Sequence, residues 1–241
     1  MPPMRILVLQ HDDDSGLDAL AGPLNDAGAE IEVWFAHRTP EPAHPLEAYD
    51  GVIVLGGIAN PDEDAIHPWL TVERALIEEA LQREVPVLGV CLGGQLLAQA
   101  AGGVAYRAPE GPEIGWNVIQ GTEEQPSDEL FGDLPAAFET FEWHSFCFTP
   151  PDDAVLLYGT ERFHQAFRYG RNAWGTQFHF EALPATITDW LETGRDEAVA
   201  HGVDFTAVSE ATARYGAAQV ELCHRVARRF GAVVGRYAGA R

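Results

Sequence analysis

The sequence contains no lysine, and all 15 of its Lys and Arg positions are arginine. Without lysine the chain cannot provide the P-loop lysine that contacts nucleotide phosphates, nor can it form a lysine Schiff base. A GC-rich genome that replaces Lys by Arg would explain the gap without any functional cause. Whatever the cause, the lysine-dependent phosphoryl and adenylyl transfer designs are excluded.

Positive charge is also scarce. The chain carries 37 acidic residues, a formal net charge of −22 and a pI near 4.6. Such a chain is repelled by phosphate backbones and anionic lipid, so we expect neither nucleic acid nor membrane partners. The charge is uneven, because residues 1–194 hold 32 acids and eight Arg, whereas residues 195–241 hold five acids and seven Arg.

Cysteine and long apolar runs are equally rare. Cys91, Cys147 and Cys223 form no regularly spaced framework, which is typical of a reducing cytoplasm, where a lone Cys is catalytic or part of the core. No apolar run approaches the roughly 18 residues of a membrane span, and the first residues do not resemble a signal peptide. We therefore expect a cytoplasmic protein.

The first hundred residues alternate between apolar strand patterns and helical patterns. This alternation predicts an α/β fold with a mostly parallel open sheet flanked by helices. The predicted strands are 5–10, 31–35, 51–55 and 86–90, and the predicted helices are 17–27, 67–83 and 92–101.

Short β segments follow, and they predict further, partly antiparallel strands of the same sheet at 116–120, 138–142, 154–158, 164–169 and 173–180. Two helices, 184–194 and 204–232, close the chain. We therefore predict one domain over 1–194 and a helical C-terminal extension over 195–241 packed on it. This extension could also serve as a homodimer or partner surface.

The sharpest motif is Gly89-Val90-Cys91-Leu92-Gly93, which lies between a buried strand and a helix. It is the cysteine counterpart of the nucleophile elbow, in which a tight turn lifts the nucleophile above the sheet. The partial positive charge at the helix N-terminus stabilises negative charge at the sulfur, and the Leu92 N–H is free to face an oxyanion. A buried core cysteine is the structural alternative.

A thiolate nucleophile needs a base, and the base needs a group that orients it. His179 and Glu181 are two residues apart at the end of a predicted strand, so their side chains are expected on one face. A second pair of glycines, Gly56-Gly57, ends a neighbouring buried strand at the carboxyl edge, where α/β sites lie. Taken separately, each of these two motifs is also common in purely structural positions.

Together, the Gly-Gly turn, the Gly-Val-Cys-Leu-Gly-Gly-Gln elbow and Gly-Thr-Gln-Phe-His-Phe-Glu resemble the class I (triad) glutamine amidotransferases over residues 5–190. The resemblance is greatest to free-standing proteins similar to the amidotransferase part of GMP synthase. It implies Cys91 as nucleophile, His179 as general base and acid, and Glu181 as the residue that orients it. It also implies an oxyanion hole from the N–H groups of Gly57 and Leu92.

The resemblance further implies substrate-binding residues: Gln95 on the helix and the loop of Trp143, His144, Ser145 and Phe146. The chain departs from the family pattern at three places. Phe180 replaces the common Pro of His-Pro-Glu, Ile58 replaces the Pro of Gly-Gly-Pro, and Ser145-Phe146 replace a frequent Gly-Asp.

The function implied is hydrolysis of the glutamine γ-amide through a cysteine thioester, giving glutamate and ammonia for a separate synthetase subunit. It requires no cofactor and no metal. Two alternatives stay open. The Ser145-Phe146 departure favours a stand-alone γ-glutamyl hydrolase or peptidase acting on another γ-glutamyl compound, and a catalytically silent binding protein with the same fold is the other.

Other polar and sulfur-containing residues are given structural roles. His11-Asp12-Asp13-Asp14 could suggest a Mg²⁺ phosphoryl site, but such sites usually use a lysine, so we expect a solvated loop that could line the site's mouth. We expect Cys147 and Cys223 to be in the core or half-buried.

Overall fold

The computed structural model describes residues 4–241, and its elements alternate as expected. The helices are α1 (Ala21–Asp26), α2 (Trp69–Gln82), α3 (Leu92–Ala100), α4 (Pro184–Thr193), α5 (Arg195–Ala200) and α6 (Phe205–Ala240). The strands are β1 (Met4–Gln10), β2 (Ala29–Phe35), β3 (Gly51–Val54), β4 (Val87–Val90), β5 (Val104–Arg107), β6 (Glu113–Gly121), β7 (Ala137–His144), β8 (Phe146–Thr149), β9 (Val155–Gly159), β10 (His164–Tyr169) and β11 (Ala173–Thr176).

One sheet of nine strands organises the molecule, in the order β2-β1-β3-β4-β11-β10-β9-β6-β7. The strands from β2 to β11 in this order are parallel, and the strands beyond β11 pair antiparallel. The predicted α/β fold, with a mostly parallel part extended by antiparallel strands, is therefore confirmed.

Helices cover both faces of the parallel strands, and the side chains of β1 show why. Ile6 and Val8 belong to one apolar cluster, which includes residues of α1 and α6, whereas Leu7 and Leu9 belong to another, which includes residues of α2 and α3. Successive side chains of a strand point to opposite faces, so a strand covered on both faces is apolar throughout.

The C-terminal helix is longer than its pattern predicted. α6 begins after Asp204, whose carboxylate accepts hydrogen bonds from the N–H groups of Thr206 and Ala207, and it continues to Ala240. Its apolar stripe extends through Phe230 and Val234 into the same core as β1. The division into a domain over 1–194 and an extension over 195–241 stays a prediction.

The end of one predicted strand was wrong, and three short elements were missed. The strand predicted over 173–180 ends at Thr176, because its neighbour β4 ends there and the Cys91 N–H donates to the Thr176 carbonyl at 2.8 Å. The short pair β5–β8 and the helix α5 were missed.

None of the helices within residues 4–241 combines the length and apolar character that crossing a bilayer requires.

Candidate active site

Cys91 lies in a strained turn between β4 and α3, with φ of 51° and ψ of −107°. Positive φ is uncommon for a residue with a side chain and costs about 1–3 kcal/mol. The turn is possible because its flanking glycines have no side chains. A Cβ at Gly93 would lie 2.0 Å from the carbonyl oxygen of Val54, and one at Gly89 would lie 2.5 Å from that of Gly93. The elbow predicted from the motif is therefore formed.

His179 and Glu181 form a buried pair beside this turn. Nδ1 of His179 lies 2.8 Å from Oε1 of Glu181, and both residues are 4% exposed. The expectation that they share a face of a strand is wrong, because β11 has already ended at Thr176. The turn after the strand brings the two side chains together instead.

The electrostatic surroundings of His179 favour the imidazolium form. Burial lowers the pKa of His179, but the charge of Glu181, the charge of Cys91 and hydrogen bonds to both outweigh this effect. The net result is a pKa well above the usual value. A histidine held in this state faces the sulfur as a proton donor.

Two further groups contact the sulfur of Cys91. The carbonyl oxygen of Trp143 lies 3.8 Å from Sγ, and Nε2 of Gln177 lies 3.7 Å from it. Gln177 was missed as a candidate, although its position two residues before His179 was a usable signal. Its Oε1 also accepts a hydrogen bond from Nε2 of Gln95, at 3.3 Å.

Gly57 and Leu92, whose N–H groups are expected to form an oxyanion hole, both line the same cavity. The N–H groups of Gly57 and Leu92 donate no hydrogen bond within residues 4–241. Gly56 packs against both His179 and Cys91, since a Cβ there would lie 2.7 Å from Cε1 of His179 and 3.5 Å from Cβ of Cys91.

A cavity of about 380 Å³ joins these groups, a size that suits a small molecule. Except for Glu181, which supports His179 from behind, every site residue predicted from the sequence lines it. The lining also includes Asp12 and Asp14, which were expected at the mouth of the site, and Trp190 and Glu197, which the motifs did not indicate. The residues that line the cavity include Gly57, Cys91, Leu92, Gln95, Trp143, His144, Ser145, Phe146, His179, Asp12, Asp14, Trp190 and Glu197.

The loop expected over 143–146 is a tight turn, because Trp143 and His144 end β7 and Phe146 begins β8. This turn is held by hydrogen bonds that meet at one carbonyl oxygen. Nε2 of Gln95 lies 2.9 Å and Nδ1 of His144 lies 3.0 Å from the carbonyl oxygen of Phe146. Trp143 extends across the cavity and donates from its indole N–H to Glu197 at 3.1 Å. Gln95 therefore supports the loop in addition to lining the cavity.

Behind this loop lies the one group of side chains, within residues 4–241, whose spacing could hold a metal ion: Glu113, Glu142 and His144. Nε2 of His144 lies 3.2–3.3 Å from carboxylate oxygens of both glutamates. Burial raises the pKa of Glu142. Burial lowers the pKa of His144, but its contacts with Cys147, Glu113 and Glu142, together with the charge of Glu142, raise that pKa well above its usual value. The Arg162 guanidinium, 3.1 Å from Glu113, supplies further positive charge.

The segment after β1 corrects another expectation. His11 is 4% exposed rather than solvated, with Nε2 between the two carboxylate oxygens of Glu73 at 2.9 and 3.0 Å. Asp12 and Asp14 do line the mouth of the cavity. The remaining cysteines, Cys147 and Cys223, are fully buried, as expected.

Known proteins resemble this chain over most of its length. The chain is 27% identical to the glutamine amidotransferase-like protein YfeJ of Salmonella typhimurium, over 80% of the chain and 82% of that protein. It is 29% identical to the imidazole glycerol phosphate synthase subunit HisH of a Synechococcus species, over 75% of the chain and 88% of that subunit. It is also 29% identical to γ-glutamyl peptidase 4 of Arabidopsis thaliana, over 54% of each.

Solved structures agree with these relatives. A glutamine amidotransferase from Thermotoga maritima superposes with a TM-score of 0.87 at 29% identity, covering 96% of this chain and 99% of that one. A GMP synthase subunit from Thermoplasma acidophilum shares the fold, with a TM-score of 0.66 at 20% identity over 100% and 98% of the two chains. The family described as glutamine amidotransferase class-I matches residues 13–194. This chain is a member of the class I glutamine amidotransferase family of enzymes.

Proposed function

We propose that this chain hydrolyses the γ-amide of glutamine through a thioester on Cys91, and that it delivers the ammonia to a separate synthetase. The observation that carries the proposal is the meeting of three features in one cavity. The first is a strained cysteine at a helix N-terminus, and the second is the His179–Glu181 pair at 2.8 Å. The third is the pair of backbone N–H groups of Gly57 and Leu92, which donate no hydrogen bond within residues 4–241.

The first half of the reaction forms the thioester. The Cys91 thiolate attacks the γ-carboxamide carbon, and the negative charge moves to the amide oxygen, where the N–H groups of Gly57 and Leu92 stabilise it. The C–N bond then breaks, and the His179 imidazolium gives its proton to the departing nitrogen, which leaves as ammonia. Glu181 holds the imidazole in the orientation that this transfer requires.

The second half releases glutamate. Neutral His179 takes a proton from water, and the resulting hydroxide attacks the thioester carbon. A second oxyanion forms at the same two N–H groups and collapses with cleavage of the C–S bond. Glutamate leaves, and Cys91 and His179 return to the thiolate and imidazolium forms. Gln95 and the loop 143–146 are proposed to bind the rest of the substrate.

A partner synthetase is supported by the relatives and by the sequence. HisH is described as a subunit of a synthase, and this chain has no lysine for the nucleotide chemistry that ammonia-using synthetases often need. The acidic residues 1–194 suit a partner with a basic face, whose association would weaken as salt increases. Co-purification that is insensitive to salt, or that recovers no partner, would count against this part of the proposal.

The central test is glutamate release from glutamine by the purified chain and by Cys91→Ala. A matched control is Cys223→Ala, because Cys223 is a fully buried cysteine in α6 that does not line the cavity. We expect Cys91→Ala to abolish release and Cys223→Ala to keep it. Release by Cys91→Ala at the wild-type rate would refute the proposed nucleophile.

A second candidate function is hydrolysis of other γ-glutamyl compounds. It is favoured by the likeness to a γ-glutamyl peptidase and by Ser145-Phe146 in the substrate loop, where a Gly-Asp pair is common in the family. Turnover of glutamine and of γ-glutamyl peptides and amines at matched concentrations separates the two functions. A higher kcat/KM for glutamine would reject the peptidase, and a higher value for the peptides would reject the amidotransferase role.

A further inference from the structure

One peptide unit links the cavity to a buried ion pair. The carbonyl oxygen of Gly56 lies 2.9 Å from Nδ1 of His11. The N–H of the same peptide unit belongs to Gly57, which lines the cavity together with Cys91. No peptide bond within residues 4–241 is cis, so this C=O and N–H point in opposite directions. When the carbonyl is held by His11, the N–H is directed away from His11.

His11 is itself held in place from the far side of its ring. Its Nε2 lies 2.9 and 3.0 Å from the carboxylate oxygens of Glu73, which is 0% exposed on α2. The Trp69 indole stacks on the imidazole at 5.0 Å with an interplanar angle of 13°. The ring therefore has little freedom to rotate away from the Gly56 carbonyl.

The loop that contains Gly56 and Gly57 packs closely against His11. A Cβ at Gly57 would lie 2.7 Å from Cβ of His11 and 3.0 Å from its Nδ1. The next N–H along the chain, that of Ile58, donates to Oδ2 of Asp12 at 3.2 Å. Two consecutive peptide units of this loop are thus held by two consecutive residues that follow β1.

The ion pair also places a positive charge behind the peptide. The Gly56 carbonyl can only accept, so Nδ1 of His11 donates to it, and an ionised Glu73 carboxylate accepts from a proton on Nε2. Burial lowers the pKa of His11, but the charge and hydrogen bond of Glu73 and the hydrogen bond to Gly56 raise it above the usual value. A cation hydrogen-bonded to the carbonyl polarises the peptide and strengthens its N–H as a donor.

We propose that His11, held by Glu73, is a positioning residue that keeps the Gly57 N–H turned into the cavity and polarised toward the oxyanion. This inference rests on the proposed function, since it assigns the support of its oxyanion hole. The Gly56 carbonyl accepts no other hydrogen bond within residues 4–241, so without the His11 donor the peptide unit is freer to rotate and turn its N–H away from the substrate.

Three changes test the proposal. The double variant His11→Leu with Glu73→Met removes the donor without leaving a buried charge unpaired. His11→Asn places an amide donor near the former Nδ1 position, and so it should restore part of the support. A matched control is His67→Leu, because the His67 ring also packs on Trp69, at 5.3 Å, and His67 is outside the cavity lining.

The readouts separate oxyanion support from general damage. Loss of one oxyanion donor lowers kcat by about 10²–10³-fold, so we expect the double variant to lose kcat by about a hundredfold with KM within about twofold. Its rate of Cys91 alkylation by iodoacetamide should stay near that of the wild type, since alkylation forms no oxyanion. His11→Asn should lie between the double variant and the wild type, and His67→Leu should match the wild type.

Several outcomes would overturn the inference. Wild-type kcat in a folded double variant would do so, and so would an equal loss of kcat and of alkylation, which would indicate a generally distorted site. If the double variant does not fold, His11→Asn provides the test. Its kcat should fall, and its rate of Cys91 alkylation should not. Failure of the proposed function itself is distinguishable, because the wild-type chain would then release no glutamate from glutamine, or Cys91→Ala would release it at the wild-type rate.

Discussion

Gly56 packs closely against both Cys91 and His179, and Gly56→Ala tests the proposed pairing of these two residues directly. The added Cβ would lie 2.7 Å from Cε1 of His179, whereas carbon atoms in contact are about 3.5–4.0 Å apart. The imidazole must therefore move by about 0.8 Å or more. It cannot do so freely, because Glu181 holds Nδ1 at 2.8 Å and the Trp190 ring packs edge-on at 4.9 Å.

This displacement predicts the size of the effect. A misplacement of about 1 Å between reacting groups can cost about a hundredfold in rate, which corresponds to about 2.7 kcal/mol of transition-state stabilisation. The neighbour that must move is a side chain, so we expect a loss of only about 1–3 kcal/mol in the free energy of unfolding. The variant should fold and should be a poor catalyst.

The assay is glutamate release under saturating glutamine, together with alkylation of Cys91 by iodoacetamide. Both rates should fall in Gly56→Ala, because separating His179 from the sulfur weakens the nucleophile in both reactions. The control is Gly22→Ala, since a Cβ at Gly22 in α1 has no neighbour within 4 Å. A folded Gly56→Ala variant with the wild-type rate would refute the proposed pairing of Cys91 and His179.

Three further predictions concern the same region and the core. Glu181→Gln removes a charge that raises the pKa of His179. The alkaline limb of the pH profile of kcat/KM, where His179 loses its proton, should therefore shift to lower pH. An unchanged alkaline limb would contradict this. Iodoacetamide at pH 8 should label Cys91 before Cys223 in mass spectra, because burial raises the pKa of the Cys223 thiol; early labelling of Cys223 would oppose this. Phe180→Ala should lower the free energy of unfolding by about 3–5 kcal/mol in denaturant titrations, since Phe180 is 1% exposed, and a loss below about 1 kcal/mol would argue against its core role.

The elements that could be predicted from the sequence are those whose signal is local. The runs that become β1, β3 and β4 are apolar throughout because these strands are buried on both faces. The glycines around Cys91 mark the elbow because no side chain fits at their positions. Local patterns of this kind indicated the parallel sheet and the motifs around Cys91, His179 and Gly57, whereas Gln95 and residues 143–146 came from the family resemblance.

The features that were missed depend on contacts between distant parts of the chain. The pair β5–β8 joins segments whose individual patterns are weak, and β11 ends early because β4, 86 residues before it, ends at the elbow. His11 looked like part of a solvated loop because its partner, Glu73, is 62 residues away on α2. The residues next to His11 and those next to Glu73 do not, by themselves, indicate that the two side chains form a buried ion pair.

The sequence by itself determined the alternation of strands and helices, the absence of lysine chemistry and the motifs around Cys91, His179 and Gly57. Each is encoded within a few residues, by apolar period, by residue type or by the lack of a side chain. The tertiary structure decided that these motifs meet in one cavity, that a turn rather than a strand joins His179 to Glu181, and that His11 holds the Gly56 carbonyl. These outcomes depend on how the sheet and helices pack, which brings side chains far apart in the chain to hydrogen-bonding distance.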